Sequence, residues 1–200
     1  MSIEQANEIS NEISLDDEVP VPFWASIWDD LVAHVPPEMR GMSRLKWVWT
    51  IVRIVLLSGG FHAILIYRLG YTSRYRLGGV GKVIASLLFW FGRHWYNCAI
   101  APTARIYGGI ILPHPQGIVI GPEVVVGPRT WIFQNVTIGG APGKVGVPHI
   151  GSDSRIYTGA VVAGPIRVGC HVVMGANVVV SFDVPDQTIV RPSMASMSSL

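Results

Sequence analysis

A six-residue repeat in the second half of the chain constrains the fold more than any other feature of the sequence. Aliphatic residues recur at this interval in three phased runs, whereas ordinary strand alternation has a period of two. The first and second runs are separated by a shift of two residues near His114. The thirteen positions are Ile100, Ile106, Leu112, Ile120, Val126, Ile132, Ile138, Ile150, Ile156, Val162, Val168, Met174 and Val180. The repeat therefore indicates a stacked, repetitive architecture.

The slots around each aliphatic residue are limited in size. Gly often follows it, and the residue two places before it is usually small or β-branched, as at Ala104, Val124, Thr130, Val136, Ser154, Ala160, Val172 and Val178. Such hexapeptides are typical of the left-handed parallel β-helix, in which three hexapeptides form one triangular coil. Each coil would bury the face of the next one. The prediction is a mainly β fold with this solenoid over residues 99–185.

The first half of the chain predicts helices instead. Apolar, nearly uninterrupted segments indicate helices over residues 23–35, 43–57, 61–69 and 80–95, with Pro36-Pro37 and Gly59-Gly60 as breaks. The predicted organisation is an acidic tail (1–22), an α-helical N-terminal domain (23–98), the β-helix (99–185) and a C-terminal tail (186–200). Lys144 occupies a slot that should be aliphatic, so residues 139–149 are expected to leave the solenoid as a loop.

Composition and charge exclude several classes of protein. Half of the residues are hydrophobic and only 14% are charged, which argues against a disordered chain and against a nucleic-acid-binding one. The charges are segregated: nine acids and no Lys or Arg lie within residues 1–38, whereas ten basic residues and no acid lie within residues 40–105. The middle of the chain is therefore uniformly basic.

The basic segment, residues 40–96, also carries four of the tryptophans. Its longest uncharged run, Ile54 to Tyr67, has 14 residues, and a membrane span needs about 20. We therefore expect no membrane span, and the acidic N-terminus does not resemble a signal peptide. Two readings of the segment stay open: packing within the protein or its oligomer, and peripheral contact with an anionic membrane at its inner face.

The two cysteines predict a reduced, cytoplasmic setting. Cys98 and Cys170 are the only cysteines, and no Cys/His pair has zinc-ligand spacing. No metal cofactor is expected.

Two stretches of the repeat carry a family resemblance. Residues 112–121 (LPHPQGIVIG) and 134–140 (QNVTIGG), together with residues 60–68 (GFHAILIYR), resemble signature segments of the serine acetyltransferase group of hexapeptide-repeat acyltransferases. The resemblance covers about 120 to 140 residues. It implies transfer of acetyl from acetyl-CoA to a hydroxyl, at a site between adjacent subunits of a homotrimer, with pairing of trimers into a larger assembly left open.

The resemblance also implies roles for individual residues. His114 would be the general base, which suits imidazole because it titrates near neutral pH. Backbone N–H groups at Gly139-Gly140 would stabilise the oxyanion, with Gly140 in the catalytic set. The resemblance implies Thr158, Gly159, Gly164 and Ala176 in binding the pantetheine arm of CoA. Further candidates for CoA are Gly139, Gly140, Lys144 and Arg191, the last two for its phosphates, and the candidates for the acceptor are Gln134, Asn135 and His149.

Several family positions are occupied by other residues. Ala99 stands where the family has the aspartate that orients the base, and Pro113 stands where it has the aspartate before the histidine. The family's Arg-His pair in the following loop has no counterpart in Gly146-Val147-Pro148-His149. A zwitterionic amino acid needs a cation for its carboxylate and an anion for its ammonium. We therefore expect a neutral acceptor, a sugar hydroxyl of a polysaccharide or glycan precursor, as in exopolysaccharide and capsule O-acetyltransferases.

Three alternatives remain at the sequence level. The first is a serine O-acetyltransferase of cysteine biosynthesis, and the second is a non-enzymatic β-helical scaffold that binds a partner through its basic helices. The third, a γ-class carbonic anhydrase, is disfavoured because His114, His149 and His171 occupy unlike slots of the repeat.

Overall fold

The computed structural model describes residues 22–36 and 43–192. The predicted acidic tail lies outside the described residues apart from Pro22, as do residues 193–200 of the predicted C-terminal tail.

Four helices precede the solenoid in the described part of the chain. They are α1 (Phe23–Ala33), α2 (Arg44–Leu57), α3 (Gly59–Arg76) and α4 (Gly78–Trp95). Helix α3 includes the predicted Gly59-Gly60 break, because Ser58 caps it by accepting a hydrogen bond from the Phe61 amide at 3.2 Å. It ends at Arg76 rather than at the predicted Leu69, because the helix packs along α4.

Thirteen short strands form the rest of the described fold. They are β1 (Ala99–Ile100), β2 (Arg105–Ile106), β3 (Val119–Ile120), β4 (Val125–Val126), β5 (Trp131–Ile132), β6 (Thr137–Gly139), β7 (His149–Ile150), β8 (Arg155–Ile156), β9 (Val161–Ala163), β10 (Arg167–Val168), β11 (Val173–Met174), β12 (Val179–Val180) and β13 (Ile189–Val190).

The strands form three parallel sheets, one for each side of the solenoid. Sheet A has the order β1-β3-β6-β9-β12, sheet B β10-β7-β4-β2 and sheet C β13-β11-β8-β5. We call the turns that lead from sheet C to sheet A the C–A corner, and those from sheet A to sheet B the A–B corner. The chain visits A, B and C in turn, which is the predicted parallel β-helix.

The six-residue repeat builds the core. All thirteen predicted aliphatic residues are buried, and those of sheet A stack in register, Ile100 on Ile120, Ile120 on Ile138, Ile138 on Val162 and Val162 on Val180. The small residues two places earlier are buried as well. The fold prediction is confirmed.

Irregularities in the repeat correspond to features of the solenoid surface. Residues 140–148 contain no strand, which agrees with the loop predicted from Lys144 in an aliphatic slot of the repeat. The two-residue shift lies in the turn that joins the Ile111 bridge of sheet C to β3. The last strand, Ile189–Val190, lies beyond the predicted limit of the solenoid at residue 185.

A buried polar cluster fastens the helices to the first coil. Arg68 forms an ion pair with Asp30 at 2.9 Å and donates hydrogen bonds to the carbonyls of Ile106 and Tyr107. Tyr67 donates its hydroxyl hydrogen to the Ala104 carbonyl at 2.7 Å. The motif of residues 60–68 thus joins the two parts of the protein.

Among the described helices, none alone has the length and hydropathy of a membrane span. Helices α2 and α3 reach those values only as a pair, and the pair is bent by 71°.

Candidate active site

His114 projects from the solenoid at the C–A corner. Its turn follows the parallel bridge between Ile111 and Trp131 and precedes β3, and it contains the two residues that interrupt the repeat. Leu112 and Pro115 are buried on either side, whereas the imidazole is exposed. The extra length of the turn therefore carries a titratable ring out of the core and onto the surface.

Further candidate residues stack on the same corner. The amide of Asn135 donates to the Gln116 carbonyl at 3.0 Å, and the amide of Gly159 donates to the Gln134 carbonyl at 3.1 Å. Thr158 and Ala176 occupy the equivalent turns of later coils. The structure thus places His114, two of the predicted acceptor residues (Gln134 and Asn135) and three predicted CoA residues along one ridge.

Gly159 also has a structural role on this ridge. Its φ is +70°, and a Cβ there would lie 2.1 Å from the side-chain oxygen of Asn177 in the next coil. A side chain at residue 159 would strain this backbone and displace the Asn177 side chain, so glycine fits best here.

The remaining predicted CoA residues, apart from Arg191, gather at the A–B corner. The amide of Gly164 donates to the Gly139 carbonyl at 3.0 Å. The Lys144 side chain reaches back to this pair, since its Cδ lies 3.6 Å from the position a Cβ would take on Gly164. A Cβ on Gly139 would meet nothing within 4 Å, and one on Gly140 would meet only the Gly146 carbonyl at 3.6 Å. Packing within the chain therefore does not require glycine at residues 139 and 140.

Two predicted residues lie apart from these groups within a single chain. His149 begins β7 in sheet B, where it pairs in register with Val125 and Arg167. It borders a cleft of about 330 Å³. Arg191 follows the last strand and is exposed at the far end of the solenoid. Only a neighbouring chain could bring either residue to the His114 turn.

A cleft of about 710 Å³ opens beside the His114 turn, and its charged lining was missed by the sequence argument. Pro113 borders it directly, and the end of α1 closes one side. The rest of the lining comes from sheet C and adjacent turns. The polar residues of the whole lining are His34, Arg129, Asp153, Arg155 and His171. These residues come from four separate parts of the sequence, so no local sequence motif predicts that they lie together.

Two cations of the cleft differ in their surroundings. Arg129 and Asp153 form a two-pronged ion pair with N–O distances of 2.7 and 2.6 Å. Partial burial raises the pKa of Asp153, but hydrogen bonding and charge from Arg129 outweigh it and hold the pKa below its usual value. Arg155 belongs to neither ion pair found among the described residues, and its guanidinium lies over the Trp131 ring, 5.6 Å from the centroid.

His34 lines the same cleft, and one nitrogen of its ring is buried. Its Nδ1 lies 2.7 Å from the Asp30 carbonyl, so Nδ1 carries the proton and donates, and Nε2 keeps its lone pair. Nε2 is buried without a hydrogen-bond partner within the described residues. Burial lowers the pKa of His34, which keeps the ring neutral.

Ala99, at the position of the family's orienting aspartate, is a strand residue of β1 opposite Val119. It supplies no carboxylate. Among the described residues no three His, Cys, Asp or Glu side chains are close enough to hold a metal ion.

No protein-family model matches the sequence. Comparison with curated proteins finds serine acetyltransferases: that of Helicobacter pylori is 35% identical over 145 residues, covering 72% of this chain and 80% of the relative. The chain belongs to the serine acetyltransferase family. The Bacillus pumilus family member is 34% identical over 142 residues, and the match covers 70% of this chain and 64% of the relative. This chain therefore spans less than two thirds of that longer relative.

Solved serine acetyltransferases share the fold. The Neisseria gonorrhoeae structure in complex with serine superposes with a TM-score of 0.72 at 30% identity, covering 88% of this chain and 68% of that one. The soybean structure complexed with serine gives 0.70 at 29% identity, covering 93% and 71%.

These comparisons overturn the prediction of a sugar acceptor and of a polysaccharide O-acetyltransferase. The curated relatives are serine acetyltransferases, and two of the similar structures contain serine. The capsule-type resemblance receives no support either. The prediction relied on charges that are missing at aligned positions, whereas the charges of the cleft come from sheet C and its adjacent turns.

Proposed function

We propose that this protein is an acetyl-CoA-dependent serine O-acetyltransferase that transfers acetyl directly, with His114 as general base. The observation that carries the proposal is an exposed imidazole, on a turn that interrupts the repeat, beside a charged cleft in a member of the serine acetyltransferase family.

His114 performs the proton transfers in this mechanism. Its neutral imidazole takes the proton of the serine hydroxyl while that oxygen attacks the thioester carbonyl carbon of acetyl-CoA. The tetrahedral intermediate then collapses, the C–S bond breaks, and the imidazolium returns the proton to the CoA thiolate. The products are O-acetylserine and CoA, and no covalent intermediate forms on the protein.

The glycines at the end of β6 suit an oxyanion site. Because no side chain crowds Gly139 or Gly140, a thioester can approach their backbone closely. Gly140 and His114 lie at different corners of one chain, so the backbone N–H that stabilises the developing negative charge would come from Gly140 of a neighbouring subunit.

Acetyl-CoA would lie along sheet A, between the two corners. Thr158, Gly159 and Ala176 would bond its pantetheine arm from the C–A corner, and Gly164 from the A–B corner. Lys144, which packs over Gly164, and Arg191 would contact the phosphates.

The charged cleft offers a cation of the kind that the aligned positions lack. Arg155 is a cation for the carboxylate of serine, and its stacking on Trp131 holds the guanidinium in place. Gln134 and Asn135, on the ridge beside His114, complete the acceptor side.

A homotrimer would complete the site. His114 is exposed in the single chain, and His149 lies on another side of the solenoid, so a neighbouring subunit would cover the first and supply the second. Sedimentation equilibrium should give three times the 21.8 kDa chain mass, or a multiple of it. A monomeric, active enzyme would contradict this arrangement.

The decisive experiment follows free thiol released from acetyl-CoA with three hydroxyl acceptors. L-Serine should be turned over, whereas ethanolamine, which lacks the carboxylate, and 3-hydroxypropanoate, which lacks the ammonium, should each lose about ten- to a hundredfold in kcat/KM. Arg155→Met should lower kcat/KM for L-serine toward the ethanolamine value and leave ethanolamine unchanged. Arg76→Met, on the exposed end of α3, is the matched control. Thiol release that L-serine does not accelerate would refute the proposal.

A further inference from the structure

Helix α2 presents an apolar stripe to solvent. Its members follow helical spacing and are exposed to large fractions, 80% for Leu45, 68% for Trp49 and 67% for Leu56. Val48, Val52 and Val55 widen the stripe and are also exposed. Six exposed apolar side chains on one helix face are more than a solvated surface helix carries.

The stripe lies opposite the face by which α2 docks onto the protein. That inner face consists of Trp47, Thr50, Ile51 and Ile54, which are buried or half-buried, and Trp47 contacts Trp28 of α1. The helix therefore already uses its inner face for packing, and its outer apolar face is available for another partner.

Cations flank the stripe on both sides. At about 100° per residue, Arg44 falls beside one edge of the stripe and Lys46 and Arg53 beside the other. All three are exposed. The chain contains no acid between Glu38 and Glu123 that could neutralise them locally. Long basic side chains in this position can reach past a buried apolar face to anionic groups above it.

Helix α4 repeats the arrangement. Val80, Val83, Leu87 and Trp90 are exposed at three- and four-residue spacing, and Lys82 and Arg93 lie exposed beside them. The two helices differ in sequence, so the recurrence of an apolar stripe with a basic edge is an independent observation.

We propose that the outer face of α2 binds the surface of an anionic lipid bilayer, with α4 as a second contact. Trp49 and Leu56 would enter the interfacial region, and Arg44, Lys46 and Arg53 would pair with lipid phosphates. A second copy of the chain fits this face less well, because a twofold contact would bring the same cations together. The helix lies on the bilayer and does not cross it.

The test is flotation of the full-length protein with vesicles, and it requires no acetyl transfer. Binding to phosphatidylcholine vesicles containing 30% phosphatidylglycerol should exceed binding to pure phosphatidylcholine and should weaken as salt is raised. Lys46→Gln and Arg53→Gln should each weaken partitioning about fivefold. Trp49→Ser combined with Leu56→Ser should abolish it, and brominated acyl chains should quench the tryptophan emission of the wild type.

Phe182→Ser is the matched control, because Phe182 is an exposed apolar residue of the solenoid outside the stripe. It should bind vesicles like the wild type. Equal binding to neutral and anionic vesicles, or unchanged binding of the Trp49/Leu56 double variant, would overturn the proposal. So would a double variant that changes only the oligomeric state, since the stripe would then be a protein interface.

Discussion

Asp30 of α1 and Arg68 of α3 form a buried ion pair whose other side-chain hydrogen bonds, within the described residues, reach the first coil of the solenoid. In addition to their mutual contact, the Asp30 carboxylate accepts a hydrogen bond from the Ile110 backbone amide at 2.9 Å, and the Arg68 guanidinium donates hydrogen bonds to the carbonyls of Ile106 and Tyr107. Both side chains are at most 2% exposed. Because Ile110 leads directly into the His114 turn, the pair fastens the helices at the edge of the candidate active site.

Removing Arg68 should destabilise the protein strongly. Arg68→Met leaves the Asp30 carboxylate buried without its counterion, and we expect a loss of about 3–5 kcal/mol in the free energy of unfolding, measured by urea denaturation. Arg129→Met removes the partner of the more exposed Asp153 and should cost about 1 kcal/mol or less. Similar losses for the two variants would contradict the structural role assigned to the buried pair.

His114→Ala should lower kcat by about 10² to 10⁴-fold and leave folding unchanged, because the ring is exposed and acts only in proton transfer. Initial rates of thiol release and circular dichroism check the two halves of this prediction. His94→Gln, on the exposed side of α4, is the control and should keep full activity. An active His114→Ala enzyme would remove His114 from the mechanism.

Two glycine substitutions separate a catalytic role from a structural one. The new Cβ of Gly140→Ala would lie near only one atom, the Gly146 carbonyl oxygen at 3.6 Å, so the variant should fold normally. Its methyl group should obstruct the thioester and lower kcat/KM on the order of 10²-fold. Gly151→Ala places its Cβ 2.6 Å from the Gly169 carbonyl carbon and should lower the melting temperature instead. Normal kinetics in Gly140→Ala would argue against an oxyanion site there.

The stability of the wild type should depend on pH through His34. Burial lowers its pKa in the folded state, so the unfolded state binds more protons as the pH falls through the usual value of 6.5. The free energy of unfolding should therefore decrease below about pH 6.5. In His34→Gln this dependence should be weaker, and thermal unfolding of both proteins between pH 5 and pH 8 provides the measurement. Parallel curves would show that His34 titrates normally.

Most of the solenoid was predictable from local pattern. Each aliphatic residue of the repeat faces inward because the chain turns by one side of the triangle every six residues, and stacking then brings equivalent turns together. The shared corner of Gln134, Thr158 and Ala176 follows from the same phase. The helix breaks were less predictable, since Gly59-Gly60 could begin a helix once Ser58 capped it.

The sequence by itself determined the repeat, the loop at Lys144 and the exposed turn at His114, because these depend on the order of neighbouring residues along one coil. Only the tertiary structure decided what surrounds that turn. His34, Arg155 and the Asp30–Arg68 pair come together across separations such as the 38 residues between Asp30 and Arg68 or the 80 between Asp30 and Ile110. Their meeting depends on how α1 and α3 pack against the first coil, and a pattern read along the chain contains no distance between such elements.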